Sequence, residues 1–230
     1  MGTDVLAKIM DAAQGLLVDF DGPVCDVFGG RSAAVAERLV EVVARRDPAL
    51  AAELAGVGDP VEVVRRVHAE DAGLGCEVEE ALTAAEVAAV EVAGDPTPGA
   101  VAVLEGARDA GRRIAVVGDT SAACMRAFLD RHGLSSYVLH VVGRPERQPE
   151  LTKPNPYPLI TAAEQLGLDV TLCALIGDSV TDVRAAHAVG AVAVGYADGP
   201  DRRQALVDAG AEAVVGEMRV IAEAMPAPSD

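Results

Sequence analysis

Continuous apolar runs recur along the chain, each closed by a Gly, an Asp or a Tyr and each followed by a segment with helical spacing. GLLVDF, from Gly15 to Phe20, leads into the acids Asp19 and Asp21, and RRIAVVGD ends on Asp119 ahead of SAACMRAFLDRHG. TLCALIGD ends on Asp178 ahead of SVTDVRAAHAVG, AVAVGY ends on Tyr196 ahead of a helix-like segment from Asp201, and AEAVVG from Ala211 precedes the last helix. Strands apolar on both faces and alternating with helices predict an α/β doubly wound parallel sheet. In such sheets ligands bind outside the carboxyl ends of the strands, where Asp19, Asp119 and Asp178 fall.

Between Arg31 and Gly94 the strand pattern gives way to helical periodicity. RSAAVAERLVEVVARR carries apolar residues at helical spacing until Asp47-Pro48 stops it, and Asp59-Pro60 sets a capping acid before a proline at the first helical position. CEVEEALTAAEVAAVEVA reads as a long acidic amphipathic helix. The turn-rich GDPTPG, Gly94 to Gly99, returns the chain to the first domain. The expected organisation is an α/β core from 1–28 and 95–230, interrupted by an α-helical domain over 29–94. The PAPSD tail is expected to fray.

Composition narrows the function. Half of the 230 residues are hydrophobic and 24% are charged, which is globular rather than disordered. A net charge of −17 argues against nucleic acid or an anionic membrane as partner, and aromatic content of 3% argues against a base-stacking platform. Cys25, Cys76, Cys124 and Cys173 lack framework spacing and read as reduced thiols of a cytoplasmic protein. The amino-terminal segment has no apolar core behind a basic start, so no secretory signal is expected. The same acidity poses a problem for an anionic substrate, which needs local positive charge or a metal ion.

Three stretches carry candidate chemistry. Side chains at i and i+2 of an extended strand share a face, so Asp19 and Asp21 converge if β structure persists to Asp21, with Gly22 free to turn sharply. Two carboxylates so close repel unless a hard, oxygen-loving cation such as Mg²⁺ lies between them; the ordinary alternative is a strand-end acid capping the next segment. In GDSVTD, Asp178 ends a strand and Asp182 lies one helical turn on. Either acid also suits a plain helix start. Lys153 in LTKPNP stands out because only Lys8 and Lys153 are lysines among 19 basic residues. Its compact ammonium suits a place between a carboxylate and a phosphoryl oxygen, the alternative being an exposed loop lysine. His68, His132, His140 and His187 lack metal-ligand spacing, and Arg31, Arg65 and Arg66 are candidates for the remote end of a substrate.

Together DFDGPV (19–24), VVGDTS (116–121), Lys153 in TKPNP and GDSVTD (177–182) resemble the haloacid dehalogenase superfamily, in its phosphatase branch and near phosphoglycolate phosphatase-type members. The resemblance spans nearly the whole chain and implies a Rossmann-like core with an inserted helical cap of type 1. It implies Asp19 as nucleophile on phosphorus, Asp21 as acid and base, and Lys153 as partner of Asp19 and of the phosphoryl group. Mg²⁺ is implied on Asp19, Asp178 and the Asp21 carbonyl, with Asp182 as a further ligand. Gly118, Asp119 and Thr120, or Ser121, are implied as phosphate-binding positions. Gly118 stands where the family has Ser or Thr, Asp119 where Asn is commoner, and Pro23 where Thr is usual. The expected partner is a small phosphorylated metabolite, with the protein a monomer or homodimer. A phosphomutase and a non-catalytic phosphate sensor are the rival readings. A phosphonate hydrolase is disfavoured because 31–94 contains no lysine.

Overall fold

The computed structural model describes residues 2–226, so the tail beyond Pro226 lies outside the described residues. Six strands, β1 Gly15–Asp19, β2 Arg113–Val117, β3 His140–Val142, β4 Cys173–Gly177, β5 Val192–Tyr196 and β6 Ala213–Val215, form one sheet. Every pairing is parallel and the order is β3-β2-β1-β4-β5-β6. The chain moves outward from β1 to β3 and then returns to the other side of β1 for β4. The order therefore reverses at the carboxyl end of β1, and ligand crevices open at such points.

The alternation within each strand explains why both faces are covered. Leu16, Val18, Ile114, Val116, Ala174 and Ile176 enter one buried cluster, and their neighbours Leu17, Ala115, Val117, Cys173 and Leu175 enter the other. The first face is covered by α1 (Gly2–Ala12), α6 (Ala100–Asp109), α7 (Ala122–Arg131) and α11 (Met218–Glu223) through Met10, Leu104, Phe128 and Ile221. The second is covered by α8 (Tyr157–Leu166), α9 (Val180–Ala188) and α10 (Pro200–Asp208) through Leu159, Val183 and Leu206. Several elements were not read from the sequence, among them α6 and α8. β3 is three residues long with only Val142 buried, so it leaves no apolar run. The amino-terminal segment, read only for the lack of a signal, is a helix that buries Leu6 and Met10.

The helical insertion has its own core. α2 (Ser32–Ala44), α3 (Pro48–Glu53), α4 (Pro60–Glu70) and α5 (Ala72–Val90) gather Leu39, Val43, Leu54, Val64, Val67, Val78 and Leu82 into a third cluster. Asp47 and Asp59 each accept backbone N–H bonds at the start of α3 and α4 ahead of a proline, which fixes where both helices begin. The returning linker is tied to the outgoing one: Thr97 donates its hydroxyl to the Gly22 carbonyl at 2.6 Å and its N–H to the Val24 carbonyl at 2.8 Å.

The acidic amphipathic reading of α5 needs correction. Glu79 and Glu86 are buried rather than solvated. They lie among Val78, Leu82 and Val90 on the inward face, and a buried cation, Arg144, meets them there.

Candidate active site

β1 delivers Asp19 to the switch point. The regular strand stops at Asp19, one residue short of the expected run, yet the Phe20 N–H still reaches the Val117 carbonyl at 2.9 Å. Asp19 and Asp21 therefore face the same cavity of about 370 Å³ between the sheet and the helical insertion. Gly22 permits this turn for two reasons. Its φ of +99° is left-handed, and a Cβ there would stand 2.4 Å from Asp178 Oδ2.

Lys153 ties the floor together. Its ammonium donates to Asp19 Oδ1 at 2.6 Å and to Asp182 Oδ1 at 2.5 Å, with all three side chains buried. Asp182 is held in turn by the Ser179 N–H and hydroxyl on Oδ2, inside a capping box that starts α9. Gly177 makes room for it, since a Cβ at 177 would collide with the Asp182 carboxyl. Asp19 Oδ1 also accepts the Phe20 N–H, which leaves Oδ2 as the less committed oxygen.

Burial and crowding set the charges. Burial acts first to lift Asp19 above the ordinary carboxylate range, and the Asp182 carboxylate adds to it while Lys153 opposes it. Burial alone would depress Lys153, but Asp182, Asp19 and Asp119 outweigh it and keep the ammonium charged. Asp178 rises to about 6 through burial, against the pull of Arg202, which donates to its Oδ2. Asp21 opens to solvent through the cavity mouth but is crowded by protein elsewhere. That partial desolvation and the nearby Asp26 lift it to about 6.

The donor set suits a hard cation. Asp19, Asp178 and Asp182 each turn a carboxylate oxygen to within 4.8 Å of the others. Oxygen-only donors suit Mg²⁺ or a similar ion, and a cation would relieve the repulsion that adds to burial in raising Asp19 and Asp178. Asp182 already spends both oxygens on Lys153 and Ser179, so Asp19 and Asp178 are the more available pair.

The expected phosphate-binding positions divide. Asp119 and Thr120 line the cavity, and Asp119 Oδ1 accepts the Lys153 N–H at 3.0 Å. The Gly118 N–H is already donated to the Val142 carbonyl within the sheet, so it offers nothing to a phosphate. A Cβ at 118 would meet Met125 Cε at 2.9 Å and Asp19 Oδ1 at 3.1 Å, so the methionine fills the space of a Ser or Thr. Ser121 is buried and caps α7 through the Cys124 N–H, which takes it out of the cavity. Pro23 is buried in the turn after Gly22.

None of the insertion's three candidate arginines lines the cavity. Arg65 reaches down to the core, donating to Thr152 Oγ1 at 2.6 and 3.0 Å and to the Lys153 carbonyl at 3.0 Å. Arg66 pairs with Glu62, and Arg31 donates back to the Phe28 carbonyl. Sequence reasoning missed Arg144, which donates to Glu86 Oε1 at 2.9 Å and to the Asp119 carbonyl at 2.8 Å, and Glu86, which also accepts the Ser121 N–H at 3.0 Å. The available signal was the interleaving of Glu79 and Glu86 with Val78 and Leu82 on one helical face. The histidines stay out of the acidic cluster; His68 and His187 pair with Glu79 and Glu212. All four cysteines are free thiols, and no described helix is long and apolar enough to cross a membrane.

Comparison with known proteins places this geometry in a family. Residues 13–190 match the haloacid dehalogenase-like hydrolase family. A phosphoglycolate phosphatase of Neisseria meningitidis is 30% identical over 198 residues, covering 83% of each chain. A plasmid-borne phosphoglycolate phosphatase of Cupriavidus necator is 31% identical over 230 residues, covering 97% of this chain and 87% of the relative. A family hydrolase from Deinococcus radiodurans, solved with phosphate and sodium, shares the fold at a TM-score of 0.59 and 23% identity, covering 95% of this chain and 99% of its own. A β-phosphoglucomutase from Clostridium difficile does so at 0.65 and 17%, covering 90% and 92%. The chain belongs to the haloacid dehalogenase-like hydrolase family, and several of its sequence relatives are phosphoglycolate phosphatases.

Proposed function

We propose that this hydrolase is a Mg²⁺-dependent phosphatase that cleaves a small phosphate monoester through an aspartyl-phosphate on Asp19. The observation that carries the reading is the buried ammonium of Lys153, 2.6 Å from Asp19 at the carboxyl end of the central strand. The phosphatase names of the sequence relatives support the same class.

Asp19 attacks phosphorus with its uncommitted oxygen, forming a P–O bond as the ester P–O bond breaks. Asp21 donates a proton to the departing alcohol oxygen, and with its carboxyl at about 6 it is partly protonated near neutrality. In the second half Asp21 takes the proton of the attacking water, which releases phosphate and restores Asp19. Lys153 offsets the negative charge of the phosphoryl group and holds Asp19 in place, while Asp182 orients Lys153. Asp19, Asp178 and the Asp21 carbonyl would hold Mg²⁺, with Asp182 beside them, and the ion supplies further neutralisation of phosphoryl charge.

The test is release of phosphate from a generic aryl phosphate with Mg²⁺, comparing the protein with Asp19→Asn. The expected result is turnover by the wild type only. Background release by both proteins across a panel of esters would favour a non-catalytic phosphate binder. Transfer to a sugar phosphate in preference to water would favour a mutase.

A further inference from the structure

The wall of the cavity facing the leaving group lacks a cation, and this deepens the phosphatase reading on which it rests. A phosphoryl dianion brings two negative charges to the floor, where Lys153 and the implied metal ion answer them. A carboxylate at the far end of the substrate would need a partner of its own, on the side formed by the helical insertion. That side offers Phe28, Val61 and Leu82 as apolar surface, Ser32 as a hydroxyl, and the acids Asp59 and Glu86. Among the described residues, Lys153 is the sole basic residue lining the cavity.

The basic residues closest at hand are committed elsewhere. Arg65 is bound to Thr152 and the Lys153 carbonyl, Arg66 to Glu62, and Arg144 lies buried against Glu86. Arg31 is exposed and turned back to the Phe28 carbonyl. The amino end of α4 points at the cavity and would by itself attract an anion. However, Pro60 removes one N–H there and the Asp59 carboxylate takes the Val61 N–H at 2.9 Å. A carboxylate entering this space would meet the Asp59 carboxylate with no free cation to answer it, because Arg144 is already spent on Glu86.

We infer that the enzyme selects phosphate monoesters whose leaving alcohol carries no carboxylate, so that phosphoglycolate is a poor substrate despite the names of the sequence relatives. The preferred leaving group is an uncharged, partly apolar alcohol with a hydroxyl within reach of Ser32.

The test compares two esters of nearly equal size, phosphoglycolate and hydroxyethyl phosphate, at saturating Mg²⁺, with an aryl phosphate as reference. The expected kcat/KM favours hydroxyethyl phosphate by at least about tenfold. Asp59→Asn keeps the helix cap but removes the charge, and it narrows that ratio by about threefold. Equal or faster turnover of phosphoglycolate, or its loss in Arg31→Ala, overturns the inference while the phosphatase reading stands on the aryl phosphate. Failure to hydrolyse any of the three esters above the Asp19→Asn background overturns both.

Discussion

Two clusters of buried charge meet at the seam between sheet and helical insertion, and they are balanced in opposite ways. At the seam itself Arg144 is surrounded by Glu79, Glu86, the Thr83 hydroxyl and the Asp119 carbonyl, and its side chain is 1% exposed. The cluster is nearly closed, because Glu86 is spent on Arg144 and the N–H of Ser121, and Glu79 takes the N–H of Arg147 while lying 3.5 Å from the Arg144 Nε. On the cavity floor Lys153 serves Asp19 and Asp182, while Asp178 stands close by and is answered by Arg202 from the solvent side. There the carboxylates exceed the buried cations, and burial lifts Asp19 and Asp178 above their ordinary range. A paired cluster joins the helical insertion to the sheet, whereas a group of carboxylates short of positive charge has the donor set that suits a cation.

The sharpest break in this contrast comes from Asp19→Asn, which keeps shape and size. Phosphatase turnover is expected to fall by at least about a thousandfold while the melting curve stays cooperative. Loss of folding instead of turnover would make the floor structural like the seam.

Next come the two cations. Lys153→Met and Arg144→Met each leave buried carboxylates unpaired and are expected to cost about 3–5 kcal/mol in denaturant unfolding. Mg²⁺ is expected to restore part of the loss for Lys153→Met and none for Arg144→Met, because only the floor offers vacant oxygens. Equal rescue of both variants would erase the distinction.

A smaller effect separates the metal from the fold. Mg²⁺ at about a hundred times its dissociation constant should stabilise the wild type by about 2.7 kcal/mol. The shift should vanish in Asp178→Asn, and chelation should abolish turnover.

The smallest effect concerns Asp119, half-buried beside Lys153. Burial raises its carboxyl above the usual range, against the pull of Lys153. A group with a raised pKa binds protons more readily when folded, so stability falls as pH rises through the window between its unfolded and folded values. Its cost is therefore full above the folded pKa and absent below the ordinary value of about 3.9. Asp119→Asn, which retains an acceptor for the Lys153 N–H, should raise Tm slightly at neutral pH. The gain should fade on acidification; a gain that persisted at low pH would point to packing rather than charge.

The strands that carry chemistry were legible because they are central. β1, β2 and β4 are buried on both faces, so each must be an unbroken apolar run, and the run ends where its acid must meet the cavity. β3 lies at the edge, buries one residue and leaves no such trace. Asp59 was legible as a helix start because capping is local, settled within three residues of chain, whereas Asp47, read only as a stop, also caps the short α3. Glu86 and Arg144 are 58 residues apart, and nothing local to either announces the pairing.

By itself, the sequence determined the class of fold, the acids at three strand ends and the lysine reserved for a special place, because periodicity and turn chemistry act over a few residues. The tertiary structure decided which of those groups share an oxygen-lined floor. It also buried Glu79 and Glu86, closed the Gly118 position with Met125, and drew the insertion's arginines away from the cavity. Those outcomes depend on which distant surfaces are pressed together and stripped of water, and that is decided only when sheet and helical insertion pack together.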